Sequence, residues 1–184
     1  KGVGVGAVEE VLRAREEGAF SSVEDFAKRV STSKFNRKAW ESLIKSGAFD
    51  DMGDRSDLLF NLDAITAFAS KLQKEAASGQ TDLFGMLGGE GSGVQSMLNL
   101  QKAPVQHTDK ERLAWERELL GLYISAHPLD KYETYLSEQA QPLTQLIPEY
   151  DSRTMTVGGI INSVRTIVTK SGSKMAFVGI EDKF

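Results

Sequence analysis

Lys1-Gly2-Val3-Gly4-Val5-Gly6-Ala7-Val8 is the stretch that decides the fold, because three glycines at alternate positions run directly into a helical apolar spacing. Val8, Val11 and Leu12 carry that spacing on, and Gly18 closes it, so the chain is expected to begin with a glycine turn that feeds a helix. Glycine lets one backbone approach another closely. The N–H groups of a helix start, left without partners inside the helix, then point at whatever approaches. A phosphate suits such a turn, and the contact reads the shape of a nucleic acid rather than its base order. The competing readings are a tight structural turn and a dinucleotide-binding loop. The second calls for a preceding strand and a particular glycine spacing, neither of which is visible here.

Outward from this turn, helices dominate. Ser21 and Ser22, with Glu24 and Asp25 three residues on, start a short helix through Val23, Phe26 and Val30. Asn36 caps a helix from Arg37 to Lys45 whose buried stripe is Trp40, Leu43 and Ile44, and Gly47 ends it. The pattern is that of a helix-hairpin-helix, and Ser46-Gly47-Ala48-Phe49 resembles a degenerate second hairpin. From Arg55 to Ala77 the residues Leu58, Leu59, Leu62, Ile65, Phe68, Ala69 and Leu72 keep a 3.6-residue period, which predicts one long amphipathic helix. Lys28, Arg29, Lys34, Arg37, Lys38 and Lys45 face a single acid, Glu41, and form the candidate basic patch; the bland alternative is a solvated face. The pairs Glu9-Glu10 and Glu16-Glu17 are expected on exposed helix faces with no catalytic role.

After Ala77 the composition changes. Ser78, Gly79, Gly85, Gly88, Gly89, Gly91, Ser92 and Gly93 predict a mobile linker. Inside it lie Leu83, Phe84, Met86 and Leu87, side chains that either fold back on the chain or are displayed to a partner. Gln80-Thr81-Asp82-Leu83-Phe84 resembles the peptide that bacterial polymerases and repair proteins insert into their sliding clamp.

Thr108 and Glu111 make a capping box for a helix carried by Leu113, Leu119, Leu120 and Tyr123 to about Ser125, where Ala126-His127-Pro128 stops it. His127 reads as a turn residue, since no nucleophile, carboxylate pair or second ligand accompanies it. A short helix is expected around Tyr132 to Leu136. Thr156 to Thr169, a Lys170-Ser171-Gly172-Ser173-Lys174 turn and Met175 to Ile180 then read as a β-hairpin. Gly158 and Gly159 would let its first strand bend, as closure of a small barrel demands.

The composition narrows the function classes. The chain has 184 residues, 40% hydrophobic and 26% charged, with no cysteine and two histidines. Disulfides and thiolate metal sites are excluded, and no zinc pattern is present. There is no apolar run of about 18 residues and no signal-type start, so a cytoplasmic location and no membrane partner are expected. A net charge of -4 argues against a broad phosphate-neutralising surface but allows local contacts. The opening on a turn and the close just after a strand suggest a piece of a longer protein.

Four blocks taken together carry a family resemblance. They are the glycine hairpin, Leu43-Ile44-Lys45-Ser46-Gly47-Ala48-Phe49-Asp50, Gln80 to Phe84, and the string Glu116-Arg117-Glu118-Leu119-Leu120-Gly121-Leu122-Tyr123-Ile124-Ser125-Ala126-His127-Pro128-Leu129-Asp130. In this order they resemble the bacterial replicative DNA polymerase III alpha subunits, C-family polymerases, over the full length of the chain. The glycine-rich insert from Gly85 to Gly93 departs from that pattern and affects the length of the linker.

The resemblance implies the portion that follows the fingers. The expected fold is mainly α, a helix-hairpin-helix domain and helical connector followed by an incomplete β hairpin of an OB fold. Residues 1–77 would be the helix-hairpin-helix domain, 78–107 the linker with the clamp-binding motif, 108–150 the connector and 151–184 the start of the OB domain. Lys1, Gly2, Val3, Gly4, Val5, Gly6, Arg37 and Lys38 would contact duplex DNA, and Gln80, Asp82, Leu83 and Phe84 the sliding clamp, which is the beta subunit. Single-stranded DNA is a further expected partner at the OB part, where the residues from Arg153 through Lys174 include four bases and no acid, although the stacking aromatics of single-strand binders are absent before Phe177. Other holoenzyme subunits would bind parts not present. The polymerase aspartates and their Mg2+ would lie upstream, so no catalytic residue, metal or cofactor is assigned here. The alternative is a free-standing helix-hairpin-helix adaptor of DNA repair or recombination.

Overall fold

The computed structural model describes residues 1–77 and 97–183. Contacts divide the chain into two units, Lys1–Tyr123 and Ile124–Phe184. The first is helical: α1 (Val5–Arg15), α2 (Val23–Arg29), α3 (Arg37–Lys45), α4 (Arg55–Phe60), α5 (Leu62–Ala77) and α6 (Asp109–Leu120). The second holds α7 (Glu133–Gln139) and two antiparallel strands, β1 (Ile160–Val168) and β2 (Lys174–Glu181). The fold is therefore mainly α with one two-stranded hairpin.

Local chemistry sets the helix ends where the sequence placed them. Ser22 accepts a hydrogen bond from the Asp25 amide, and Asn36 from that of Ala39, each satisfying a donor that the helix start leaves unpaired. Thr108 and Glu111 form the reciprocal capping box. Gly47 and Gly121 end α3 and α6 at φ of 87° and 86°, a backbone that side-chain-bearing residues avoid. Gly121 therefore stops α6 earlier than the expected boundary near Ser125.

The core of the helical unit is aromatic at its centre. The ring of Phe26 lies 4.7 to 5.2 Å from those of Phe20, Phe35, Trp40 and Phe49. Each such tilted or edge-on pair adds about 0.5–1.5 kcal/mol to the burial itself. Ile44, Leu58, Leu62, Ile65, Phe68 and Ala69 complete the cluster. The apolar period of residues 58–72 is thus used as expected.

Two expectations are corrected. The stretch from Arg55 to Ala77 is two helices, because Asn61 interrupts it at φ -93°, ψ 10°. Its side-chain amide donates to the carbonyls of Asp57 and Gln101, and its oxygen accepts from the Gln101 amide. The Asn61 amide still donates to Asp57 and its carbonyl still accepts from Ile65, so the break is a bend at one residue whose side chain binds the returning chain. Glu10 is also not on an exposed face, being only 3% exposed. It takes two bonds from the Arg13 guanidinium and one from the Ser31 amide, so α1 carries a carboxylate that anchors the start of the next connection.

In the second unit, His127 is a turn residue: its amide donates to Asp130 and its Nδ1 accepts from the Leu129 amide. Gly172 takes φ 81° in the β1–β2 turn. A register shift between Ile161 and Ser163 places Ile161, Val164 and Thr166 opposite Ile180, Val178 and Ala176 on one face. No helix among the described residues is long and apolar enough to cross a membrane.

Candidate nucleic-acid interface

The glycines of the N-terminal turn have different reasons to be glycine. Gly2 sits at φ 86°, and a Cβ there would overlap Ser42 Oγ on α3, so packing within the protein requires it. Gly4 and Gly6 have nothing within 4 Å of where a Cβ would stand. Neither is demanded by internal packing, and the space above both is open.

Gly4 is the N-cap of α1 in extended backbone, and no side chain caps it. The carbonyl of Gly4 accepts from Ala7 and Val8. Among the described residues, the amides of Val5 and Gly6 have no acceptor. Unpaired donors at a helix start, with the positive end of the helix dipole behind them, favour an anion. Val3 is partly buried and packs on the core, which fixes the turn from below.

Positive charge reaches this turn from α3. A Cβ on Gly2 would lie 3.8 Å from Lys38 Cε, so the Lys38 stem runs beside the turn. Lys38 makes no ion pair among the described residues, and Lys34 makes none either. The rest of the basic patch is occupied. Lys28 pairs with Glu24 at 2.8 Å and Lys45 with Glu41 at 2.6 Å. Arg29 donates to the carbonyls of Ala14 and Gly18, and also to Asp25, and stacks its guanidinium over Phe20, so it serves as a cap for the end of α1. Arg37 is 2.6 Å from Asp63 in an exposed pair, the kind that solvent weakens to about 0–1 kcal/mol. The Lys1 terminus donates to the Leu119 carbonyl.

Of the residues expected at the duplex, the structure brings Gly2, Val3, Gly4, Val5, Gly6 and Lys38 together, whereas the sequence reading missed Ser42, which seats Gly2. No local signal marks Ser42, since the contact joins residues far apart in sequence. The clamp-motif residues Gln80, Asp82, Leu83 and Phe84 lie outside the described residues. Among the described residues no group of three His, Asp or Glu could hold a metal ion.

Residues 1–58 match the helix-hairpin-helix motif family. The whole chain is 38% identical over 189 residues to the DNA polymerase III subunit alpha of Pasteurella multocida and 36% identical over 191 residues to that of Escherichia coli K12. The counterpart in Deinococcus radiodurans is 38% identical over 188 residues, with 96% of this chain covered. The chain spans about 16% of the length of the first two of these relatives and 14% of the third. Along its whole length it is similar to one segment of these DNA polymerase III alpha subunits.

Proposed function

We propose that this chain is the noncatalytic, duplex-holding and clamp-tethering segment of a bacterial replicative DNA polymerase. Nucleotidyl transfer, with its Mg2+ and catalytic aspartates, would belong to other parts of the polymerase, and this segment would supply processivity in the cytoplasm. One observation carries the DNA reading: the open space over Gly4 and Gly6, beside the unpaired Val5 and Gly6 amides, in a turn whose Gly2 has the Lys38 stem alongside. A phosphate seated there is bound through backbone geometry, so the protein follows the duplex at any sequence.

Few phosphates are neutralised in this way. Duplex binding should be weak and sequence-independent, with a shallow salt slope corresponding to about two to four contacts. Titrating labelled duplexes of different sequence with the chain and with Gly4→Ala and Lys38→Ala tests this. Both variants should weaken binding at unchanged circular dichroism. Strong preference for one sequence, or wild-type affinity in both variants, would overturn the reading.

Clamp tethering rests on Gln80-Thr81-Asp82-Leu83-Phe84. As an extended peptide it would place Leu83 and Phe84 in an apolar pocket of the clamp, with the Gln80 amide at the rim, and Asp82 would shape the turn that presents them. Burying two such side chains contributes roughly 1.5–3 kcal/mol each, less the ordering of the peptide, so affinity on the order of micromolar is expected. Replacing both Leu83 and Phe84 by alanine should abolish binding to a purified beta clamp, and retention of binding would sink this part. In the second unit, β1 and β2 would begin an OB barrel whose Arg153, Arg165, Lys170 and Lys174 meet single-stranded DNA. The functional division would be 1–77 for duplex DNA, 78–107 for the clamp peptide, 108–150 for the connector and 151–184 for the OB start.

A further inference from the structure

We infer that residues 101–120 form a releasable latch, which docks on α4 through polar contacts and can come away as a unit while α2, α3 and α5 stay folded. The six-residue helix α4 and its two flanking residues carry a row of polar side chains, and each one grips the returning chain. Asn61 exchanges bonds of 2.7 and 3.0 Å with the backbone of Gln101. Asp57 takes Lys102 Nζ at 2.6 Å, the Ala103 amide at 2.9 Å and the Gln106 side chain at 3.1 Å. Ser56 accepts from the His107 amide, and Asp54 pairs with Arg112 at 2.7 Å. Arg55 meets Glu116 at 2.9 Å.

The apolar side chains of α6, Leu113, Trp115 and Leu119, are only partly buried. The fully buried hydrophobic core of the helical unit takes nothing from residues 97–120, and Leu98, ahead of the latch, packs against it only in part. On α6 the single fully buried side chain is Glu116. Trp115 is half-buried and lies against the His107 ring and beneath Lys45 Nζ, both polar neighbours.

The character of the interface fixes what happens when it opens. An interface built from apolar side chains leaves an insoluble patch on separation, whereas one built from ions and hydrogen-bonding groups exchanges each protein partner for water. Arg55 is not stranded by release, because Asp50 still holds it through two bonds and the Lys45 carbonyl through a third. Glu116, wholly buried when docked, regains hydration. The helices whose apolar faces build the aromatic core have no such alternative. Local opening of 101–120 should therefore need less free energy than opening of α3 or α5. Under the proposed function, release would lengthen the tether that follows the clamp peptide. The latch itself does not depend on that reading.

Native-state hydrogen exchange on the full chain tests it, with Glu116→Gln and Asp57→Asn beside the wild type. Amides of α6 should exchange through an opening that leaves those of α3 and α5 protected. Each variant should speed exchange across 103–120 by on the order of tenfold or more, while α3 and α5 change by less than about twofold. If α6 and α5 exchange through one common opening, or if either variant speeds α5 as much as α6, residues 101–120 are an integral part of the fold and the inference fails.

Discussion

The Arg55 guanidinium donates to Glu116 Oε1 at 2.9 Å, and neither side chain reaches solvent, with 4% and 0% of their surfaces exposed. The same nitrogen donates to Asp50 at 2.6 Å, and a second nitrogen reaches the Lys45 carbonyl at the end of α3. Gly47 is glycine for this reason too, since a Cβ there would overlap the guanidinium. One arginine thus organises the second hairpin, residues 45–50, and also holds α6. Its planar fork of five donors can serve several acceptors at once, which a lysine ammonium cannot do in the same geometry.

Arg55 and Glu116 should therefore differ when removed. Arg55→Met leaves the buried Glu116, Asp50 and the Lys45 carbonyl without their donor and should cost roughly 3 kcal/mol in urea unfolding. Glu116→Gln removes a charge but leaves Asp50 and the Lys45 carbonyl paired with Arg55, and should cost clearly less. Equal losses in the two variants would mean that Arg55 contributes nothing through the hairpin.

Acid should weaken the helical unit in a defined window. The Arg13 guanidinium, helped by the Ser31 amide and opposed by burial, lowers the Glu10 carboxyl from 4.5 to about 2. Lys102, with the Ala103 amide, lowers Asp57 from 3.8 to about 2. For Asp54, burial pushes upward, but Arg112 and the Ser56 and Asp57 amides together hold it below its ordinary value. A carboxyl whose folded value is depressed stabilises fully above its unfolded value and stops doing so as pH falls through the folded one. The urea midpoint should stay level from neutral pH down to about 5 and fall between about 4.5 and about 2. Glu10→Gln should flatten part of that fall. An unchanged acid profile in this variant would show that Glu10 is not the paired carboxylate that the geometry makes it.

The glycine turn allows stability and binding to be separated. Gly6 lies in the first turn of α1 with open space around it, so Gly6→Ala should stabilise the fold by about 0.5–1 kcal/mol. Gly2→Ala should destabilise it, because φ is positive there and Ser42 is in the way. If Gly6→Ala also weakens duplex binding, the close approach is established independently of stability, and calorimetry beside a DNA titration reads both.

These residues also mark how far the sequence could be read. Ser22, Asn36 and Thr108 were legible as caps because a cap and its amide lie within three residues. Glu10 was not, because its distinguishing partner is the Ser31 amide, 21 residues away. The break at Asn61 was hidden by an apolar period that runs through it unchanged, since period reports which face is buried and not whether the backbone is continuous. At the candidate site the glycines themselves stood out, but their division into Gly2, needed for packing, and Gly4 and Gly6, left open, needed the position of Ser42. The pairing of Arg55 with Glu116, 61 residues apart, has no local signature at all.

Val164 and Val178 face each other across β1 and β2 and are 59% and 46% exposed, and Ile161 and Ile180 beside them are exposed as well. A two-stranded hairpin is marginal in water unless a third strand or a helix covers its apolar face. By contrast, Ile65 and Ala69 of α5 are fully buried in the aromatic cluster. Amides of β1 and β2 should therefore exchange well before those around Ile65 and Ala69, because unpaired edges and exposed apolar side chains leave the hairpin little to hold it closed. Val164→Thr should change this exchange little, because more than half of the valine is already in water. Protection in the hairpin equal to that in α5, or a large loss of protection in Val164→Thr, would mean that another surface covers this face in solution.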